Sequence, residues 1–237
     1  MGIYAELKTE CLAMMLSDVA LLTERIKTFS PSTIATLRTT RLPTPALAPA
    51  PAARVGPSPI HGQGLFAERD IDKGELITLF PVDATFYTDE AGKPRLCFSS
   101  LVPEDAVATE DDQQALLVEN RDFAHFVSPE GTPLTMSLPS AVPAKEGGAY
   151  SGHYANDGLA YTPASDDPLM AAKIYREESH KLSNAAHLAV GQGIFVMTMA
   201  SKKIRKGEEV LVSYGTSWWE AHHRALGPAG GGTEPVP

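Results

Sequence analysis

The chain has little cysteine, no long apolar run and few aromatic rings. Each shortage narrows the reading. Cys11 and Cys97 are its two cysteines, too few for a disulfide framework or for a closed cysteine zinc site. Low cysteine use fits a reducing compartment, nucleus or cytoplasm. No stretch reaches the ~18 consecutive apolar residues that a membrane helix needs. The first residues, MGIYAELKTECLAMM, place Glu6 and Glu10 where a secretory leader would carry a basic start and an apolar block. Glu6 also occupies the position at which a myristoylation signal wants Ser or Thr. No phosphate-binding Walker loop and no Gly-x-Ser-x-Gly elbow occurs.

Basic charge is also short. The net charge is −9 over 237 residues. Residues 1–53 hold five basic and four acidic groups, which leaves 15 basic and 25 acidic beyond them. A segment that acidic is ill suited to direct nucleic-acid binding, which needs cations facing phosphates. It suits a basic, lysine-containing peptide or protein, although solubilising charge has the same signature. The acidic run from Glu104 to Asp112 reads as a solvated loop.

Several segments can be assigned from pattern. Leu12, Met15, Val19, Leu22, Ile26 and Phe29 step by three and four, so residues 3–29 read as one amphipathic helix ended by Ser30-Pro31. The stripe packs on its own domain, on a partner helix or on a second copy of the chain. Residues 31–53, with five prolines and six alanines, read as an extended linker. The Gly/Pro-rich end, 227–237, reads as a disordered tail. The domain plan is therefore a helix over 1–30, a linker over 31–53, a compact domain over 54–219 and a short extension over 220–237. Further helices are expected over 110–127, with Leu116, Phe123 and Val127 on one side, and over 166–182.

Two segments echo each other. GQGLFAERDIDKGELITLF at 62–80 and GQGIFVMTMASKKIRKGEEVLVSY at 191–214 each carry Gly-Gln-Gly, an apolar pair and Ile-x-Lys-Gly-Glu. Each reads as strand, polar turn, strand, with the Lys-Gly glycine reversing the chain. Val210, Val212 and Tyr214 alternate with Glu209, Leu211 and Ser213, as in a strand with one buried face. The fold class is mainly β with α insertions.

Four motifs follow in order: Ile60-His61-Gly62-Gln63-Gly64-Leu65 with Ile71-Asp72-Lys73-Gly74-Glu75; Gly152-His153-Tyr154-Ala155-Asn156-Asp157; Ser183-Asn184-Ala185; and Gly207-Glu208-Glu209-Val210-Leu211-Val212-Ser213-Tyr214-Gly215, with Trp218-Trp219 beyond. This order resembles the SET-domain family of protein lysine methyltransferases over about 54–219. The resemblance implies small curved sheets with a C-terminal pseudoknot, S-adenosylmethionine as cofactor and a protein lysine, such as a histone lysine, as substrate. It implies that the backbone of Gly62, Gln63, Gly64 and Leu65 cradles the cofactor, with His153, Asn156, Asp157 and Asn184 around it. It implies that Tyr214 stands beside the transferring methyl as the catalytic residue and that Trp218 or Trp219 stacks on the adenine.

The departures are specific. The family's Asn-His pair is Asn156-Asp157 here, and Asn184 lies 28 positions after Asn156, so an insertion separates them. Phe80 stands where a tyrosine commonly follows the first hairpin. The cysteine clusters that flank some members are missing, so a cofactor lid falls to residues 217–226. Asp157 and Phe80 motivate an alternative reading, a SET-like scaffold that binds partners without chemistry. His222-His223 read as surface histidines, since neighbours on a helix point apart.

Overall fold

The structure, a computed structural model, describes residues 2–42, 52–126, 134–143, 149–161 and 167–226. Residues 43–51 of the expected linker, Val127 and the tail from 227 lie outside them. In chain order the elements are α1 (Ile3–Ser17), α2 (Val19–Ile26), α3 (Pro31–Thr39), β1 (Ala53–Pro57), β2 (Gln63–Ala67), β3 (Leu76–Leu79), β4 (Ala84–Thr88), β5 (Pro94–Phe98), α4 (Glu110–Glu119), β6 (Ala124–Phe126), β7 (Leu134–Met136), β8 (Asn156–Asp157), α5 (Pro168–Leu182), β9 (Ala185–Val190), β10 (Phe195–Ala200), β11 (Leu211–Val212) and α6 (Thr216–Leu226). They form four small sheets, ordered β1-β2, β3-β10-β9, β11-β8 and β5-β4-β7-β6. The described helices include none long and apolar enough to cross a membrane.

Two compact units are made from interleaved stretches of chain. One comprises Met1–Ala50, Leu79–Tyr150 and Leu188–Met197; the other comprises Pro51–Thr78, Ser151–His187 and Thr198–Pro237.

In the first unit the N-terminal region departs from the sequence reading at two places. The helix expected over 3–29 breaks at Asp18, whose carboxylate accepts the Ala20 and Leu21 amides and starts α2. A break shifts the helical phase, so Leu12, Met15, Leu22 and Ile26 are buried while Val19 turns outward at 59% exposure. Gly191 is tucked beneath this stripe: a Cβ built there would lie 2.6 Å from Ile26 Cδ1. The stripe therefore packs within its own unit, and a dimer through 3–29 would have to use exposed Ile3, Leu16, Val19 and Leu21. The second departure is α3, which occupies the start of the expected linker. Ser30 caps the Thr33 amide and Pro31 sits in the first turn, so Ser-Pro opens a helix here as well as closing one. The helix expected over 110–127 stops at Asn120, whose amide bonds Leu116 O and Ser140 Oγ. The acidic run is exposed, but it is helical rather than loop: a 3-10 turn spans Glu104–Val107, and Thr109 and Asp112 form the capping box of α4.

Buried charges tie the N-terminal region to the rest of this unit. Arg41 bonds both oxygens of Asp83, at 2.7 and 2.9 Å, and Arg38 donates to Gln192 O. Lys8, 2% exposed, donates to the carbonyls of Arg38 (3.2 Å) and Thr40 (2.5 Å). Burial, and then the charge of Arg41, bring the Lys8 ammonium down to about 7. An unfolded chain keeps that proton up to about 10.4. Unfolding therefore takes up a proton above pH 7, and stability rises with pH between about 7 and that limit. Other shifted groups act elsewhere: His125 is lowered by burial and acts below its usual 6.5, while Cys11 and Tyr150 are raised by burial and act at high pH. We expect the urea midpoint of the full chain to rise from pH 7 to pH 9 and the rise to flatten in Lys8→Met. An equal slope in both proteins would remove Lys8 as its source.

The second unit is built around Leu65, Ala67, Ile71, Ile77, Ile204, Val210 and Val212. Here the two echoing segments pair with each other about a local two-fold. Ile71 and Ile204 exchange amide-to-carbonyl bonds at 2.8 and 2.9 Å. Gly74 N–H donates to Ala200 O and Gly207 N–H to Ala67 O, both at 2.8 Å. Ala200 N–H donates to Glu75 O, as Ala67 N–H does to Glu208 O. Even the turn side chains correspond, with Glu75 accepting from Asp72 N–H and Glu208 from Arg205 N–H. Gly74 and Gly207 have φ of 85° and 88°, so each Lys-Gly needs its glycine. The chain after this turn runs as β11 parallel to β8, with Leu211 opposite Asn156 and Val212 opposite Asp157. That pairing lays the C-terminal motif alongside the Asn156-Asp157 motif.

Candidate active site

All of the sequence-predicted site residues fall in the second unit. The glycine loop closes the β1-β2 hairpin. Ser58 shapes it: its amide donates to Gly62 O, and its hydroxyl accepts the amides of Ile60 and His61. Gly62, at φ 46°, has no atom within 4 Å of where a side chain would begin. Gly64 is the opposite case. A Cβ there would lie 2.9 Å from Ser58 Cβ and 3.0 Å from Glu209 Cδ, with Glu209 Oε1 nearer still. Gln63 is exposed, while Leu65 is buried and its carbonyl accepts the Val210 amide.

Asn156 joins this loop to the C-terminal motif. It is 5% exposed, and its Nδ2 donates to His61 O (3.1 Å), Gln63 O (3.1 Å) and Glu209 Oε1 (2.9 Å). Asn184 plays a related part on the other side of β11. Its amide spans the strand backbone, donating to Glu209 O and accepting from Leu211 N–H, both at 2.8 Å. The sequence reading singled out both asparagines. It missed Glu209, whose only signal was its place within the closing motif.

Asp157, where the family places histidine, is a buried carboxylate that receives five donors. Oδ1 accepts Leu159 N–H and Ser179 Oγ, both at 3.1 Å. Oδ2 accepts Tyr214 N–H (3.0 Å), Trp219 Nε1 (3.2 Å) and the Tyr175 hydroxyl. Tyr175 and Ser179 both come from α5, the helix expected over 166–182, which Asp167 caps and Pro168 opens. Nothing in the sequence marked Tyr175. Burial first, and then the bond to Asp157, push its phenol above the usual tyrosine range.

Tyr214 is half-buried, and its hydroxyl donates to Ala155 O at 3.2 Å. Its ring centroid is 4.5 Å from that of Trp218. Trp218 stacks on His222 at 5.0 Å, and His223 Nε2 lies 2.8 Å from Tyr161 O, so both histidines of α6 have places in the fold. His153 is buried in a 3-10 turn, its ring 4.1 Å from that of Tyr154. Phe80 belongs to the other unit, where it is buried with Val82 and Val196.

The SET domain family matches residues 62–215. No curated protein sequence matches the chain. Among solved structures, a humanized mutant of the Chaetomium thermophilum Polycomb Repressive Complex 2 aligns at 19% identity and a TM-score of 0.37, over 72% of this chain and 16% of that one. A candidate histone methyltransferase of Plasmodium falciparum aligns at 18% identity and a TM-score of 0.32, over 72% of this chain and 99% of that one. The family match covers well over half of the sequence, from the glycine loop to Gly215, and the chain belongs to the SET-domain family.

Proposed function

We propose that this chain transfers a methyl group from S-adenosylmethionine to the side-chain amine of a protein lysine. The observation that supports this most is the single amide of Asn156. It joins the glycine loop to Glu209, drawing together motifs that lie far apart in sequence. The residues present also suit the cofactor. Gly62 leaves open space on the loop, Glu209 holds a carboxylate beside Gly64, and Tyr214 with Trp218 offers half-buried aromatic faces. A cation carrying a flat aromatic base matches that set. The backbone of 62–65, Tyr214 and Trp218 would contact it, with His153 nearby. Asn156, Asn184, Asp157 and Trp219 would hold the walls.

When bound, the cofactor supplies a methyl group already activated on a sulfonium. What remains for the protein is alignment, which can recover roughly 7–11 kcal/mol of barrier. The Tyr214 proton is directed at Ala155 O, so toward a substrate amine the phenol oxygen acts as an acceptor. It orients the amine and is not the base. The amine must arrive neutral, against a reference pKa of about 10.4; an apolar channel and a neighbouring cation both favour that form. The acidic balance of residues 54–237 suits a basic peptide, with histone tails the first to try.

The test is calorimetric titration of the full chain with S-adenosylmethionine beside Asn156→Ala, followed by transfer of labelled methyl to histones. Asn156→Ala loses three polar contacts that hold the loop, so affinity should fall about tenfold or more. A well-folded protein, free of copurified cofactor, that does not bind it would overturn the proposal. The scaffold reading, motivated by Asp157 in place of histidine, would then stand.

A further inference from the structure

The stretch between Asn156 and Asn184 brings α5 against the site. We propose that Tyr175, carried on this helix, is a positioning residue for Tyr214, acting together with Asp157. The inference rests on the methyltransferase reading above.

The geometry is specific to the two amides that flank the Tyr214 Cα. Tyr214 N–H donates to Asp157 Oδ2 at 3.0 Å, and the next amide, Gly215 N–H, donates to the Tyr175 hydroxyl at 3.1 Å. With both peptide planes held, a tyrosine keeps only its two side-chain torsions, and the bond from its hydroxyl to Ala155 O constrains those. The Tyr175 hydroxyl donates to the same Asp157 oxygen that takes the Tyr214 amide. The Trp219 indole N–H lies 3.2 Å from both Asp157 Oδ2 and the Tyr175 oxygen, so the first turns of α6 are fixed by the same pair. Ser213 Oγ, 3.2 Å from the Tyr175 oxygen, completes a bracket over residues 213, 214, 215 and 219.

The two oxygens of Asp157 divide the work. Oδ1 serves Leu159 and Ser179, away from Tyr214, and Oδ2 serves Tyr214, Trp219 and Tyr175. An imidazole cannot receive three donors at one atom. Asp157 and Tyr175 therefore act together: carboxylate and phenol make one acceptor site for the backbone around Tyr214 and an indole.

The test compares Tyr175→Phe with Ser179→Ala in the full chain. The chain has two tryptophans, so a Trp218→Phe background reports Trp219 emission alone. Tyr175→Phe should shift that emission and lower kcat roughly 10- to 100-fold while leaving KM for a lysine peptide within about twofold. Ser179→Ala loses a donor to Oδ1, so it should lower stability and leave both emission and kcat as in the parent. Unchanged emission in Tyr175→Phe would overturn the bracket. Shifted emission with undiminished kcat would overturn the positioning role. Equal losses of kcat in the two variants would reduce Tyr175 to a structural residue. A parent protein that binds S-adenosylmethionine but transfers no methyl to any peptide would defeat the methyltransferase reading, and this role with it, whereas full turnover in Tyr175→Phe defeats the inference alone.

Discussion

Asp157→His, which installs the histidine that the resemblance to the family leads one to expect here, is expected to damage this protein. Five donors converge on the Asp157 carboxylate, and three of them are N–H groups: the amides of Leu159 and Tyr214, and the Trp219 indole, which also reaches the Tyr175 oxygen. A neutral imidazole offers one acceptor nitrogen and brings a donor of its own. With the indole keeping the Tyr175 oxygen, at least one of the two amides would lose its acceptor in a site that is 5% exposed. A buried donor left unsatisfied costs about 1–3 kcal/mol, so a loss of at least about 1–3 kcal/mol is expected. In a protein of this size that lowers Tm by roughly 5 °C. Urea unfolding should show the midpoint falling at constant m, with cofactor affinity falling in parallel. A variant as stable as the parent would mean that these donors are satisfied by something other than Asp157.

This expectation runs against the sequence, where Asp157 reads as a defect in a familiar pair. The sequence carries the site's backbone chemistry well. Glycines at reversals, the Gly-Glu-Glu approach to Tyr214 and the two asparagines are each tied to local geometry that few other residues satisfy. The fold class follows from the same features, but the pairing does not: each echoing segment reads as its own strand-turn-strand hairpin, whereas β2 pairs with β1 and the turns bond to each other through Ile71 and Ile204. Residues that act across the tertiary structure are less legible. Tyr175 sits mid-helix in α5 with no local mark, and its role exists only because α5 returns to β8. Glu209 is in the same position, since its neighbour Gly64 lies far back in the chain.

Other misreadings had local signals that were given the wrong sign. Asp18 inside an apolar stripe is a good N-cap, and it cuts the helix there. Ser30-Pro31 suits the beginning of α3 as well as the end of α2. Lys8 falls four residues before Leu12, a helical spacing that sets this cation on the buried face of α1. The strands of the β5-β4-β7-β6 sheet are three to five residues long, too short for period-two alternation to stand out.

Gly64→Ala should have the second large effect, because the glycine loop and Glu209 meet at that Cα. The added methyl would overlap Glu209 Oε1 and lie 2.9 Å from Ser58 Cβ. Glu209 is flexible at its far end and can withdraw, but withdrawal breaks its bond to Asn156 Nδ2, one of the three contacts that fix the loop. Ser58 has less freedom. Its amide is bonded to Gly62 O and its hydroxyl holds the Ile60 and His61 amides, so moving its Cβ opens the turn that Gly62 completes. Overpacking of this kind costs about 1–3 kcal/mol. Because the strain falls on the loop proposed to cradle the cofactor, most of it should appear in binding: a loss of about 10- to 100-fold in affinity for S-adenosylmethionine by calorimetry. Gly62→Ala makes the informative comparison. It meets no neighbouring atom and carries only the backbone cost of φ 46°, so its fold should suffer less than that of Gly64→Ala. Should Gly64→Ala bind the cofactor as the parent does, the close approach of Glu209 to this loop would have no part in the site.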